Sequence, residues 1–151
     1  MMKRQPPTIL IIDDDPADQF LMQEAMQTAN LQYSLRLVSD GDEALEYLYK
    51  RGRYEDRAKA PRPDLILLDL NMPRFNGRQV ARAIKSDPNL KNIPIVVLTT
   101  SASDTDVQEL YSIGVNSYVQ KPSNFDEFTN ALRDLSHYWL ERTSLPADRG
   151  A

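Results

Sequence analysis

Apolar residues follow two rhythms along this chain. Ile9–Ile12, Leu65–Leu68 and Ile95–Leu98 are unbroken apolar runs, the pattern of strands covered on both faces, as in parallel sheets. Leu35–Val38 predicts a weaker strand, and Val115–Val119 a fifth with Tyr118 inside it. Between these runs, apolar positions recur at helical spacing. Asp15 and Pro16 open a first helix, Asp15 as cap and Pro16 at the first helical position, with Asp18 in the first turn. Leu21 and Ala25 form its stripe, beside Phe20. A second helix follows Ser39–Asp42 and carries Ala44, Leu45 and Leu48; a third starts at Gly77 and carries Val80 and Ile84. A fourth carries Val107, Leu110 and Tyr111 and stops at Gly114, a C-cap. Asn124 with Glu127 predicts a capping box, after which Phe128, Leu132, Leu135 and Trp139 line one face of a last helix.

Strand and helix thus alternate five times without an internal repeat, which predicts an α/β architecture on a parallel sheet. Residues 50–63 read as a solvated polar connector despite Arg57, Lys59 and Arg62, and residues 141–151 as a loose tail.

Composition narrows the picture. A length of 151 residues suits one domain, and 41% apolar with 26% charged residues is an ordinary globular balance. A net charge of −4 argues against nucleic acid as a partner. The absence of cysteine excludes disulfides, thiolate metal sites and cysteine nucleophiles. No apolar run approaches the ~20 residues of a membrane span, and Met1–Pro7 lacks the apolar stretch of a secretory signal, so the expected location is the cytoplasm.

The chemistry should lie beyond the carboxyl ends of the strands, where open parallel sheets place their crevice. Asp13-Asp14-Asp15, Asp69 with Asn71, Thr99-Thr100 and Lys121 stand at those ends. Two carboxylates ~4 Å apart repel by about 4 kcal/mol at an effective dielectric near 20, so three together require a cation or a proton. Hard oxygen donors of this kind suit Mg²⁺. An aspartate beside such a metal can attack phosphorus and become an aspartyl phosphate, with metal and lysine neutralising the incoming charge. Taken singly, these residues have ordinary explanations. Asp15 is better read as a helix cap; Asp69, before the turn signal Leu70-Asn71-Met72-Pro73, serves equally as turn former or nucleophile. One helix needs one cap, however, and that leaves Asp13 and Asp14 unexplained.

The series Ile9-Leu10-Ile11-Ile12-Asp13-Asp14, Leu67-Leu68-Asp69-Leu70-Asn71-Met72-Pro73 with Gly77, Thr99 and Lys121-Pro122 resembles the receiver domains of two-component response regulators, from about Thr8 to Trp139. The resemblance implies a flavodoxin-like, doubly wound sheet of five parallel strands in order 2-1-3-4-5 with five helices. It implies a receiver over residues 8–140, a tail at 141–151 and no output domain. Asp69 is then the phosphoacceptor. Asp14 and Asp69 hold Mg²⁺ directly, Asp13 holds it through water, and Asn71 contributes its backbone carbonyl. Thr99 hydrogen-bonds the phosphoryl group, Lys121 pairs with it, and Tyr118 stands at the aromatic position whose rotamer reports the switch. The Lys121–Pro122 bond is expected to be cis. Asn71 and Ser101 occupy positions that tune self-dephosphorylation. Asn76 stands where many receivers carry an Asp before the glycine.

A narrower resemblance joins the long loop before Pro63 to the ending Phe128–Pro146, with His137-Tyr138-Trp139-Leu140-Glu141. This pattern looks like the small regulators that partner cyanobacterial and bacterial phytochromes. It implies a sensor histidine kinase of phytochrome type upstream, an unidentified protein downstream, and a homodimer, strengthened by phosphorylation, through Phe128, Leu132, Leu135 and Trp139. Charged hydrogen bonds contribute about 1.5 to 3 kcal/mol each, and Lys121 is expected to pair with Asp69 already. Phosphorylation alone then falls short of the ~5.5 kcal/mol of a full population shift. Dimerisation or a target must supply the rest.

The rival readings are weaker. An aspartate phosphohydrolase of the haloacid-dehalogenase type needs a carboxylate where this chain has Asn71, and no glycine-rich loop follows any strand to cradle a nucleotide. A switch rather than a turnover enzyme is expected. The alternative is a pseudo-receiver that acts through protein contacts without phosphorylation. His137, the single histidine, reads as a surface or dimer-contact residue.

Overall fold

The computed structural model describes residues 6–30, 32–72, 75–100, 103–142 and 144–145. Five parallel strands, β1 (Thr8–Ile12), β2 (Ser34–Val38), β3 (Leu65–Leu68), β4 (Ile95–Thr99) and β5 (Ser117–Gln120), lie in the order β2-β1-β3-β4-β5. The connecting helices are α1 (Pro16–Thr28), α2 (Gly41–Tyr49), α3 (Gly77–Ser86), α4 (Asp104–Ile113) and α5 (Phe125–His137). This is the flavodoxin-like architecture the resemblance implied.

Period-2 alternation divides the buried strands between two cores. Leu10, Ile12, Ile66, Leu68, Ile95 and Val97 face α2, α3 and α4 through Ala44, Leu48, Val80, Ile84 and Leu110. Ile9, Ile11, Leu65, Leu67, Val96 and Leu98 face α1 and α5 through Met22, Ala25, Met26, Phe128, Leu132 and Leu135. Because both faces are covered, β1, β3 and β4 are apolar at consecutive positions. Each fully buried Leu or Ile contributes about 1.5–3 kcal/mol relative to exposure.

This second core corrects the expected dimer face. Phe128, Leu132 and Leu135 are 5%, 0% and 9% exposed within a single chain, and Trp139 packs partly buried against the same cluster. Helical periodicity identified an apolar stripe correctly, but the chain's own sheet covers it. Beyond α5 the chain continues as a π-helical turn, Tyr138–Arg142. His137, the last residue of α5, is exposed and pairs locally with Glu141 and Arg142 of this turn.

Other local expectations shift. The strand predicted at Val115 begins at Ser117, because Gly114 closes α4 in a left-handed conformation (φ 117°) and Val115 N–H still bonds Leu110 O. Asn124 accepts the Glu127 N–H without the reciprocal bond, whereas a complete capping box forms at Asn76 and Gln79. The connector is more ordered than predicted: two 3₁₀ turns, Gly52–Tyr54 and Arg57–Lys59, are pinned by Tyr47 Oη donating to Pro61 O (2.7 Å) and Tyr54 Oη to Glu43 (2.6 Å). The Lys121–Pro122 bond is trans, not cis, the isomer favoured by ≈ 0.5–1 kcal/mol for X–Pro bonds. Among the described residues no helix is long and apolar enough to cross a membrane.

Candidate functional site

Three strand ends deliver the site through one device. The residue just past each strand donates its N–H to the last carbonyls of a neighbour. Asp13 bonds Val38 O (3.2 Å), Asp69 bonds Ile12 O (2.9 Å) and Lys121 bonds Thr99 O (2.7 Å). Sheet register therefore aligns Asp13, Asp69 and Lys121 along one edge, although they are far apart in sequence. Gly77 is needed below them: a Cβ there would stand 2.6 Å from Asp69 O and 2.8 Å from Leu70 Cα. Only glycine lets the start of α3 approach the Asp69 backbone this closely.

Asp13, Asp14 and Asp69 converge so that one carboxylate oxygen of each lies within 4.8 Å of the others. Asp13 is fully buried, and its Oδ1 accepts the Asp15 N–H (2.9 Å). Burial pushes its carboxyl above the ordinary value, against the opposing pull of that N–H and of Lys121. Asp69 is 9% exposed, and its carboxyl is pushed up to about 6, chiefly by burial. Lys121 opposes that rise, Asp13 and Asp14 reinforce it, and the Asn71 N–H also opposes it. The donor set is wholly carboxylate oxygen, crowded and short of positive charge, which fits a hard divalent cation.

Lys121 is placed differently from expectation. Its Nζ donates to Asp13 Oδ2 (3.0 Å) and Asp18 Oδ2 (2.7 Å), and no bond to Asp69 forms among the described residues. Burial works to lower its pKa, but Asp18, Asp13 and Asp69 outweigh that and hold the ammonium above its ordinary value. Asn71 bridges the pocket: its N–H reaches Asp69 Oδ1 and its Nδ2 reaches Thr99 Oγ1, each at 3.4 Å. Thr99 is fully buried at the end of β4, and Tyr118 packs half-buried on β5 against the core under α4. Ser101 lies outside the described residues.

Two residues of α1 join the site without having been assigned to it. Asp18 is more than a favourable first-turn charge: it is the closer of the two partners of Lys121. Gln19 Nε2 donates to Asp13 O (2.6 Å) and lies 3.3 Å from Val38 O, tying α1 to the ends of β1 and β2. The available signal was that α1 starts immediately after Asp15, so its first turn must border the acidic edge.

Over residues 9–133 the chain matches the response regulator receiver domain, and it belongs to that family. It is 42% identical to the response regulator Rcp1 of Synechocystis over 142 residues, 94% of this chain and 95% of Rcp1. A crystal structure of Mn²⁺-bound Rcp1 superposes with a TM-score of 0.84 at 42% identity, over 94% of this chain and 100% of that one. RPA3017, a response regulator in red light signaling of R. palustris, gives a TM-score of 0.88 at 41% identity, over 93% of this chain and 99% of that one. The phosphorylated cyanobacterial phytochrome response regulator RcpA gives 0.87 at 40% identity, over 95% of this chain and 100% of that one.

Proposed function

We propose that this receiver accepts a phosphoryl group on Asp69 from a sensor histidine kinase, in a Mg²⁺-dependent reaction, and signals through a changed protein-contact face. The observation that carries the reading is the Asp69 carboxylate at the end of β3, among Asp13, Asp14 and the ammonium of Lys121. An Asp69 carboxylate oxygen attacks phosphorus, the bond from phosphorus to the kinase imidazole breaks, and the electron pair returns to that nitrogen. Asp13, Asp14 and Asp69, with the backbone carbonyl of Asn71, would hold Mg²⁺, which when bound would supply positive charge to the phosphoryl oxygens. The Thr99 hydroxyl turns from Asn71 to the phosphoryl group, and Tyr118 follows it. The contact face then altered is that of α4 and β5, the strand that carries Tyr118. Hydrolysis restores the carboxylate, so the protein is a switch and not a turnover enzyme.

The likeness to RPA3017 and RcpA supports a kinase of phytochrome type, and this reading puts the protein in the cytoplasm with that kinase. A second copy, or the downstream protein, contacts exposed side chains such as Tyr111 of α4 (49% exposed), because the α5 stripe is already covered. Nucleic acid is not a partner in this reading, given the net charge of −4. The test is intact mass after incubation with Mg²⁺ and a small-molecule phosphodonor, beside Asp69→Asn. The expected result is one added phosphoryl group in the parent and none in the variant. A parent that binds metal yet gains no mass points instead to a pseudo-receiver.

A further inference from the structure

An ammonium has three donors, and two of those on Lys121 are engaged, by Asp13 at 3.0 Å and Asp18 at 2.7 Å. Each of these carboxylates is an alternative to the phosphoryl group for the same cation. They are not equivalent. Asp13 is fully buried, with its other oxygen tied to the Asp15 N–H, so bulk water replaces the lysine less readily there. The Asp18 side chain is 30% exposed on the first turn of α1, and water can replace the lysine there. Capping does not account for Asp18, since Asp15 already accepts the Ala17 N–H (2.9 Å).

We propose that Asp18 is a positioning residue that holds Lys121 away from Asp69 and sets how strongly the pocket binds a phosphoryl group. This rests on the reading of Asp69 as the phosphoacceptor and deepens it. The single lysine charge is shared between two carboxylates before any phosphoryl group arrives. The incoming group must draw the ammonium from Asp18, which returns to solvent. The carboxylate of Asp18 attracts the ammonium by charge as well as by hydrogen bond; an amide oxygen accepts the same bond without the opposite charge. An asparagine at this position therefore keeps the shape but loosens the hold, and Lys121 becomes available to Asp69 and its ligand.

The experiment is ¹⁹F NMR titration of the full chain with beryllofluoride in saturating Mg²⁺, comparing the parent, Asp18→Asn, Asp18→Ser and Asp15→Asn. The proposal expects beryllofluoride to bind Asp18→Asn about tenfold more tightly than the parent, ~1.4 kcal/mol, with Asp18→Ser following in the same direction. Asp15→Asn removes a nearby charge that does not touch Lys121 and keeps a capping side chain, so it should bind as the parent does. A purely structural α1–β5 ion pair gives unchanged or weaker binding in both Asp18 variants, and that result overturns the proposal. An equal gain in Asp15→Asn also overturns it, by assigning the effect to bulk charge. A parent that binds no beryllofluoride overturns the phosphoacceptor reading itself, and this inference with it.

Discussion

Without a divalent cation, Asp69 should cost the fold stability at neutral pH, and removing its charge should restore that stability. Its carboxyl is pushed from an ordinary 3.8 to about 6, a factor of roughly 100 in acidity, or ~3 kcal/mol. The folded protein therefore binds a proton more readily than the unfolded chain between those values. For an acid raised in this way, the stabilisation is complete below pH 3.8 and is lost as pH rises through about 6. Asp69→Asn cannot ionise, keeps the side-chain shape and retains an oxygen for the Asn71 N–H, now 3.4 Å away. In chelator at pH 8 the variant should be more stable than the parent by about 2–3 kcal/mol, roughly 4 to 10 °C in Tm for a domain of this size. At pH 5 the gap should shrink by about half. Urea denaturation at both pH values measures this, with a common m-value confirming that the unfolded states are comparable. Excess Mg²⁺ should close the gap from the parent's side, because ligand binding stabilises the native state by mass action. A variant no more stable than its parent at pH 8 in chelator, or a gap independent of pH, refutes the electrostatic account of the pocket.

Other substitutions test the frame around the site. Leu132→Ala, at a fully buried position of α5, should cost about 2–5 kcal/mol in urea denaturation, whereas a dimer-face residue would show its loss in the monomer–dimer constant instead. Gly77→Ala places a Cβ 2.6 Å from Asp69 O and should destabilise by about 1–3 kcal/mol while slowing mass gain from a phosphodonor. Asn76→Ala breaks the capping box of α3 and should cost about 1 kcal/mol, read as a shifted urea midpoint with phosphorylation retained.

Much of this was legible along the chain. β1, β3 and β4 announced themselves as uninterrupted apolar runs because helices cover both faces, and the capping role of Asp15 followed from its place before Pro16. Asp13, Asp14, Asp69, Thr99 and Lys121 were marked by standing at strand ends. What escaped was pairing across distance. Lys121 and Asp18 are 103 residues apart, and nothing in local pattern says which of several acids a lysine will choose. The α5 stripe shows the same limit, since periodicity reveals an apolar face without naming what covers it. The connector at residues 50–63 looked solvated because its order comes from Tyr47 and Tyr54 reaching Pro61 and Glu43, contacts with no periodic signature.

The central claim is that phosphorus is bonded to Asp69 and to no other carboxylate of the pocket. Borohydride reduction of the phosphorylated protein converts an aspartyl phosphate to homoserine, and mass spectrometry of the digested chain then locates it. Homoserine at position 69 alone is the predicted result. Homoserine at Asp13 or Asp14, or none in a protein that has gained a phosphoryl group, contradicts it.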